Sequence, residues 1–112
     1  MSKETLTIEV SWPASLAVPE GSTIDIQLWV GNDKAGYSMI DGDFSTPANA
    51  SPATLEIAYD SEDLQSHDGT TTWDYFHTSP RLVHGGFIKN IAYAEKISVA
   101  QTKGAAWKMA LR

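Results

Sequence analysis

The feature that most constrains the fold is an alternation of apolar and polar residues with a period of two. In the segment LTIEVSW, the apolar residues from Leu6 to Trp12 alternate with polar ones, and Pro13 ends the run. After the turn PEGS, residues 24–30 alternate in the same way. Because successive side chains of a strand point to opposite faces, both segments are predicted to be half-buried β-strands.

Further strands are predicted where β-branched and aromatic residues lie between turn residues. They cover Tyr37–Ile40, Leu55–Tyr59, residues 71–78, Arg81–His84, Phe87–Tyr93 and a last run with Ile97 and Val99. A loop is predicted at STPANASP (45–52), because its prolines have no N–H to donate to a β-ladder. A second loop, which could include one helical turn, is predicted at the acidic segment DSEDLQSHDG (60–69). The sequence therefore predicts an all-β fold, a single β-sandwich of about seven to eight short, mainly antiparallel strands. Residues 1–102 are expected to form this domain.

The same alternation predicts which side chains are buried. The predicted core residues are Leu6, Ile8, Val10, Ile24, Ile26, Leu28, Leu55, Ile57 and Ile91. Gly85 and Gly86 predict a tight hairpin turn, with Phe87 and Tyr93 in register on one face and Ile88 and Ala92 on the other. This hairpin is expected to be a scaffold feature.

Charge and composition limit the partners. The net charge is −6, from 14 acidic and 8 basic residues, and no basic patch is present, so nucleic acid is not an expected partner. No apolar run approaches the roughly 20 residues of a membrane span. The start MSKETLTIEV lacks the apolar core of a secretory signal, and there is no cysteine to carry a lipid. The chain as written is expected to be soluble, and a mature periplasmic domain or a virion component remain alternatives.

The residues that could carry chemistry do not form a known motif. His67, His77 and His84 lack the spacing of a preformed zinc-ligand pair, and only His77 and His84 could face each other across paired strands. The acidic loop does not follow the calcium-loop pattern. No nucleophile motif occurs. We therefore expect no metal, no cofactor and no enzymatic activity.

Aromatic residues are the remaining functional signal. Trp29 lies out of phase with the apolar row of residues 24–30, and Trp73 and Tyr75 share one face of their predicted strand. Most tryptophans of a small sandwich belong to its core. An exposed aromatic face would instead bind a protein or stack against a sugar. Trp29, Trp73 and Tyr75 are therefore candidate partner-binding residues.

The tail KGAAWKMALR, residues 103–112, adds three more candidates. Trp107, Met109 and Leu111 alternate with other residues, as expected of an added edge strand with one apolar face. The tail is predicted to dock, either on its own sandwich or on a partner, and its deletion is expected to leave the sandwich folded.

The order of elements resembles the YbaY/YscW family of small bacterial lipoprotein domains. The similarity lies in VPEGSTIDIQLWV, in ATLEIAYDSEDL and in YFHTSPRLVHGGFIKNIAY, and it spans roughly residues 6 to 99. In that family a Pro–x–Gly turn leads into a strand, a later strand ends in Tyr-Asp, and a glycine hairpin carries a Phe–x–x–(Asn/Asp)–x–x–Tyr run. The resemblance implies a non-enzymatic β-sandwich, and in one branch a pilot chaperone for the outer-membrane secretin of type III secretion.

Three functions follow from these observations. The first is a non-enzymatic protein-interaction module resembling a secretion-associated, chaperone-like β-sandwich, whose partner is another protein. The second is a structural assembly subunit, such as a virion decoration or surface protein, whose partner is its own copies. The third is a carbohydrate-binding β-sandwich that uses the exposed aromatic rings.

Overall fold

The computed structural model describes residues 3–34, 36–40, 44–66, 69–92 and 94–111. The strands among these residues are β1 (Lys3–Ser11), β2 (Thr23–Ile26), β3 (Trp29–Asn32), β4 (Gly36–Met39), β5 (Phe44–Pro47), β6 (Ala53–Asp60), β7 (Tyr75–Thr78), β8 (Arg81–His84), β9 (Phe87–Ile91), β10 (Glu95–Ser98) and β11 (Trp107–Ala110). A 3-10 helical turn, Ser61–Leu64, lies in the acidic loop as predicted, and a short helix α1, Val99–Thr102, begins at a Ser98 cap.

The strands form three sheets, with the orders β11-β1-β6, β5-β2-β8-β9 and β10-β7-β3-β4. The two four-stranded sheets have the same lateral order. Strands at equivalent positions of the two sheets are consecutive in the chain, and these pairs are β4 and β5, β2 and β3, β7 and β8, and β9 and β10. They can be described as one bent four-stranded layer, which covers the three-stranded sheet. The predicted all-β sandwich is confirmed.

The bend lies where one antiparallel ladder is interrupted and then resumes in the same register. Asp25 is opposite Arg81 before the interruption, and Trp29 is opposite His77 after it. Pro80 lies in the gap and has no N–H to donate, while the Thr78 hydroxyl donates to the Gln27 carbonyl at 2.8 Å. The described residues contain eleven strands, rather than seven or eight, because this bend divides four long segments into two strands each.

One contiguous hydrophobic core lies between the two layers. The inner faces of β1 and β6 meet those of β2, β3 and β7, and the rings of Tyr59 and Phe76 contact edge to face with centroids 5.3 Å apart. Eight of the nine predicted core residues are buried: Leu6, Ile8, Val10, Ile24, Ile26, Leu28, Leu55 and Ile57. The alternation therefore identified the buried rows correctly.

The prediction for Ile91 is wrong, since half of this side chain is exposed (50%). Ile91 is opposite Arg81 on the outer face of β8 and β9, whereas the next residue, Ala92, is fully buried. A register shift between Leu82 and Val83 changes which residues of β9 face the core. Phe87 and Ile88 of the same strand are also exposed, so Ile88 and the buried Ala92 do not share one face as predicted. That the hairpin is a scaffold feature stays a prediction.

The loop predicted at 45–52 is also partly wrong, because Phe44–Pro47 form the edge strand β5. Pro47 is the last residue of β5, and that strand pairs only with β2 among the described residues, so the missing N–H of proline is tolerated there. Tyr93, His67 and Asp68 lie outside the described residues, and so do residues 41–43.

The C-terminal segment docks in cis. β11 pairs with β1 in parallel, with Ile8 opposite Trp107 and Val10 opposite Met109. Trp107, Met109 and Leu111 are all nearly fully buried in the core. Their side chains could reach a partner only if the β1–β11 pairing were broken.

None of the described helices is long and apolar enough to cross a membrane.

We expect Ile26→Ala to reduce the free energy of unfolding by about 2–5 kcal/mol, since the side chain is almost completely buried and its removal leaves a cavity. Ile91→Ala is the matched control, because it removes the same atoms from an exposed site and should cost less than about 1 kcal/mol. Urea unfolding of both variants measures the difference. Equal losses would contradict the orientation of β9.

We expect Met109→Ala to cost about 2–5 kcal/mol of unfolding free energy, because Met109 contributes to the core from β11. Lys108→Ala, the exposed neighbour on the same strand, should change stability by about 0.5 kcal/mol at most. This replaces the expectation that the tail is dispensable for folding. A Met109→Ala variant as stable as the parent in urea would show that β11 is frayed.

Candidate functional site

The candidate site is the outer face of the sheet β10-β7-β3-β4. On this face Trp29 is opposite both Met39 and His77, and Gly31 is opposite both Tyr37 and Tyr75. Directly paired residues of antiparallel strands point to the same side, so these side chains share one surface. Val30 and Phe76 alternate with them and are buried on the inner face. The phase of Trp29 relative to residues 24–30 was therefore interpreted correctly.

Gly31 determines how closely the aromatic rings approach the sheet. A Cβ atom at this position would lie 2.5 Å from Cζ of Tyr75 and 2.6 Å from its hydroxyl oxygen. The ring of Tyr75 therefore lies directly over the backbone of β3, in the space that a side chain at position 31 would fill. Gly31 has no positive φ, so glycine is required here by this close approach rather than by backbone conformation.

Trp29 and Tyr37 form the other side of the site. Their rings contact edge to face, with centroids 5.4 Å apart and an interplanar angle of 81°. Tyr37 is 70% exposed, and Trp29 is half-buried beside it. A cavity of about 430 Å³ is lined by Trp29, Tyr37, Tyr75 and His77. Such a cavity can take a large apolar side chain or a flat ring by stacking.

A cation borders the aromatic rings. The Nζ atom of Lys96 lies 4.8 Å from the ring centroid of Tyr75, within the range of a cation–π contact. The same ammonium donates a hydrogen bond to Asp33 Oδ1 at 3.1 Å. This bond to Asp33 raises the pKa of Lys96 above its usual value. The rim of the site is therefore an ion pair, and the floor is aromatic.

The histidines do not come together. His77 faces the aromatic cavity on β7, whereas His84 lies on β8 with its Nε2 atom 3.2 Å from the Glu20 carbonyl oxygen. They belong to different sheets because the bend separates β7 from β8. Within the described ranges, no three histidine or acidic residues form a group that could hold a metal ion.

The structure brings together only part of the predicted set of binding residues. Trp29 and Tyr75 lie on the aromatic face. Trp73 is 8% exposed and precedes β7, where its N–H donates to the Leu64 carbonyl at 2.6 Å, so it does not share a face with Tyr75. Trp107, Met109 and Leu111 are in the core.

Tyr37, Met39 and His77 also belong to this face and were missed by the sequence analysis. In the sequence, none of the three differs from an ordinary strand residue. Only the pairing of β4 and β7 with β3 brings each of them beside Trp29. Gly31 was missed for the same reason. A glycine inside an alternating strand is a recognised sign of close backbone approach, and this signal was available from the sequence.

The chain is similar in structure to a solved protein described as an alternative pilotin from the type II secretion system of Vibrio cholerae. The TM-score is 0.67 at 17% sequence identity, and the similarity covers 99% of this chain and 98% of the other. No protein-family model and no curated protein matches the sequence. The similarity shows that the whole domain has the fold of that pilotin. Membership of the YbaY/YscW family stays a prediction.

We expect Gly31→Ala to displace the ring of Tyr75 and to disrupt the aromatic cavity while the domain stays folded. The clash falls on the outer end of a half-buried side chain, so the stability cost should be about 1–2 kcal/mol. Ring NMR signals of Tyr75 and a urea melt measure the two effects. Gly104→Ala is the matched control, since nothing lies within 4 Å of its added Cβ. Unchanged Tyr75 signals in Gly31→Ala would contradict this packing.

Proposed function

We propose that this protein is a non-enzymatic, secretion-associated interaction module that binds a segment of another protein of a secretion apparatus. The support from comparison is the fold, which is shared over nearly the full length of both chains with an alternative pilotin. The support from the molecule itself is the outer face of β10-β7-β3-β4, which brings the rings of Trp29, Tyr37 and Tyr75 together around one cavity.

The aromatic face is the observation that carries this proposal. Tyrosine and tryptophan dominate the binding energy of protein interfaces, because a large ring is desolvated at low entropic cost. Here Trp29 is held by Tyr37, and Tyr75 is held against Gly31, so the rings are ordered before a partner arrives. An ordered face loses less conformational entropy on binding.

The chemistry of the cavity favours binding over catalysis. Its lining consists of Trp29, Tyr37, Tyr75 and His77, and it includes no carboxylate or aliphatic hydroxyl that could act together with the histidine. Lys96, the nearest cation, is engaged by Asp33. The partner should therefore insert a large apolar side chain between Trp29 and Tyr75.

The test is site-specific photo-crosslinking in the source cells. A benzoylphenylalanine at position 37 places the reactive ketone at the most exposed ring of the face. We expect it to cross-link a component of a secretion apparatus, identified by mass spectrometry. Gly31→Ala in the same chain should reduce the cross-link at least about fivefold, as expected for loss of an interface anchor worth about 1 kcal/mol or more.

The matched control for this experiment is Gly104→Ala, which should leave the cross-link unchanged. Cross-links only between copies of this chain would favour the assembly subunit instead. Protection of position 37 by a soluble oligosaccharide, with no protein cross-link, would favour the carbohydrate-binding function.

A further inference from the structure

The hairpin formed by β8 and β9 differs in charge from the rest of the chain. Between Arg81 and Ala94 it contains Arg81, His84 and Lys89 and no acidic residue, in a protein whose net charge is −6. Neither Arg81 nor Lys89 forms an ion pair with any residue that the structure describes. Asp25 is opposite Arg81 on the neighbouring strand β2, so Lys89 is the hairpin's cation on the side away from that carboxylate.

The same hairpin exposes apolar side chains. Phe87 is 72% exposed, and Ile88 and Ile91 are each about half exposed. In the described part of the chain, the other large hydrophobic residues with comparable exposure are Tyr37 and Met39, which belong to the aromatic face. Exposed large apolar residues are thus confined to two surfaces, and β9 carries the second.

β9 is also an open sheet edge. It is the last strand in the order β5-β2-β8-β9, so its only strand partner among the described residues is β8. Ile88 is opposite Val83 and Ile91 is opposite Arg81, which places both isoleucines on the outer face. A strand added at this edge would extend the backbone ladder and place its own apolar side chains beside this row.

Lys89 indicates which strand this edge accepts. Lys89 lies between Ile88, which is opposite Val83, and Asn90, which is opposite Leu82. Lys89 is therefore the extra residue of a bulge in the middle of the edge strand. A lysine there opposes pairing with a second copy of this chain, because antiparallel pairing around it would bring two like charges together. The net charge of −6 opposes self-association further.

We propose that the β9 edge binds an extended, acidic segment of a partner protein by strand addition. The apolar side chains of that segment pack beside Ile88 and Ile91, and its carboxylates lie near Lys89. This surface is separate from the aromatic face and does not depend on the function proposed for it.

The probe is a heptapeptide of alternating glutamate and valine, titrated into the nitrogen-labelled full-length protein. We expect amide NMR shifts and slower hydrogen exchange in residues 87–91. The same peptide with lysine in place of glutamate should not bind, because its charges repel Lys89. A peptide with N-methyl groups along one edge should also fail, since it cannot complete the backbone ladder.

Charge-reversal variants test the role of Lys89. We expect Lys89→Glu to weaken binding of the glutamate peptide by about 3- to 10-fold, as expected when one exposed charge pair is replaced by a repulsion. Lys108→Glu is the matched control, because it reverses an exposed lysine on a different edge strand, β11, and should leave the affinity unchanged. Urea melts of both variants should match the parent.

Four results would overturn the proposal. They are the absence of shifts in β9, equal affinity after Lys89→Glu, shifts confined to the strands of the aromatic face, and dimerisation of the free chain through β9. Gly31→Ala separates the two surfaces, since it should weaken cross-linking at position 37 at least about fivefold and leave peptide binding at β9 intact.

Discussion

The bent antiparallel ladder between residues 23–32 and 75–84 is the constraint on which the rest of the structure depends. The two segments keep one register on both sides of the interruption, so a single pairing organises both four-stranded sheets. Pro80 has no N–H to donate where the ladder is interrupted, and the Thr78 hydroxyl donates to the Gln27 carbonyl at 2.8 Å across the same gap. Because the register is kept on both sides of the bend, the inner faces of the bent layer can cover the three-stranded sheet.

The same ladder also decides where the two candidate surfaces lie. On one side of the bend, Gly31 and Tyr75 are directly paired, and the glycine lets the ring lie close over the backbone of β3. On the other side, β8 continues into the Gly85-Gly86 turn, whose positive φ angles of 59° and 82° suit a tight hairpin, and β9 becomes the edge. Each surface therefore depends on a glycine position that a side chain would strain or fill.

The sequence predicted those features that follow from alternation alone. Leu6, Ile8 and Val10 are buried because β1 is a straight central strand with both edges paired, and its period of two has no interruption. Ile91 was assigned to the wrong face because a bulge changes the phase within one strand, and nothing in its apolar pattern shows the bulge. Trp73 was misplaced because it lies just before β7, where the strand's alternation does not yet apply. Side chains that meet only through pairing, such as Tyr37 and Trp29, need the register of three strands, and a single sequence does not contain that register.

The two layers differ in what they present outward, and this difference argues for a division of roles. The outer row of the three-stranded layer contains Thr5, Thr7 and Glu9 from β1, with Thr54, Glu56 and Lys108 from its neighbours. Such a row is solvated and has no reason to be covered. The bent layer instead exposes Tyr37, Met39, Phe87, Ile88 and Ile91, each of which would be more stable if desolvated. β11 strengthens this asymmetry, since it buries Trp107, Met109 and Leu111 beneath the three-stranded layer rather than leaving them outside. The three-stranded layer therefore stabilises the fold, and the bent layer is the one whose outer surface remains free to bind.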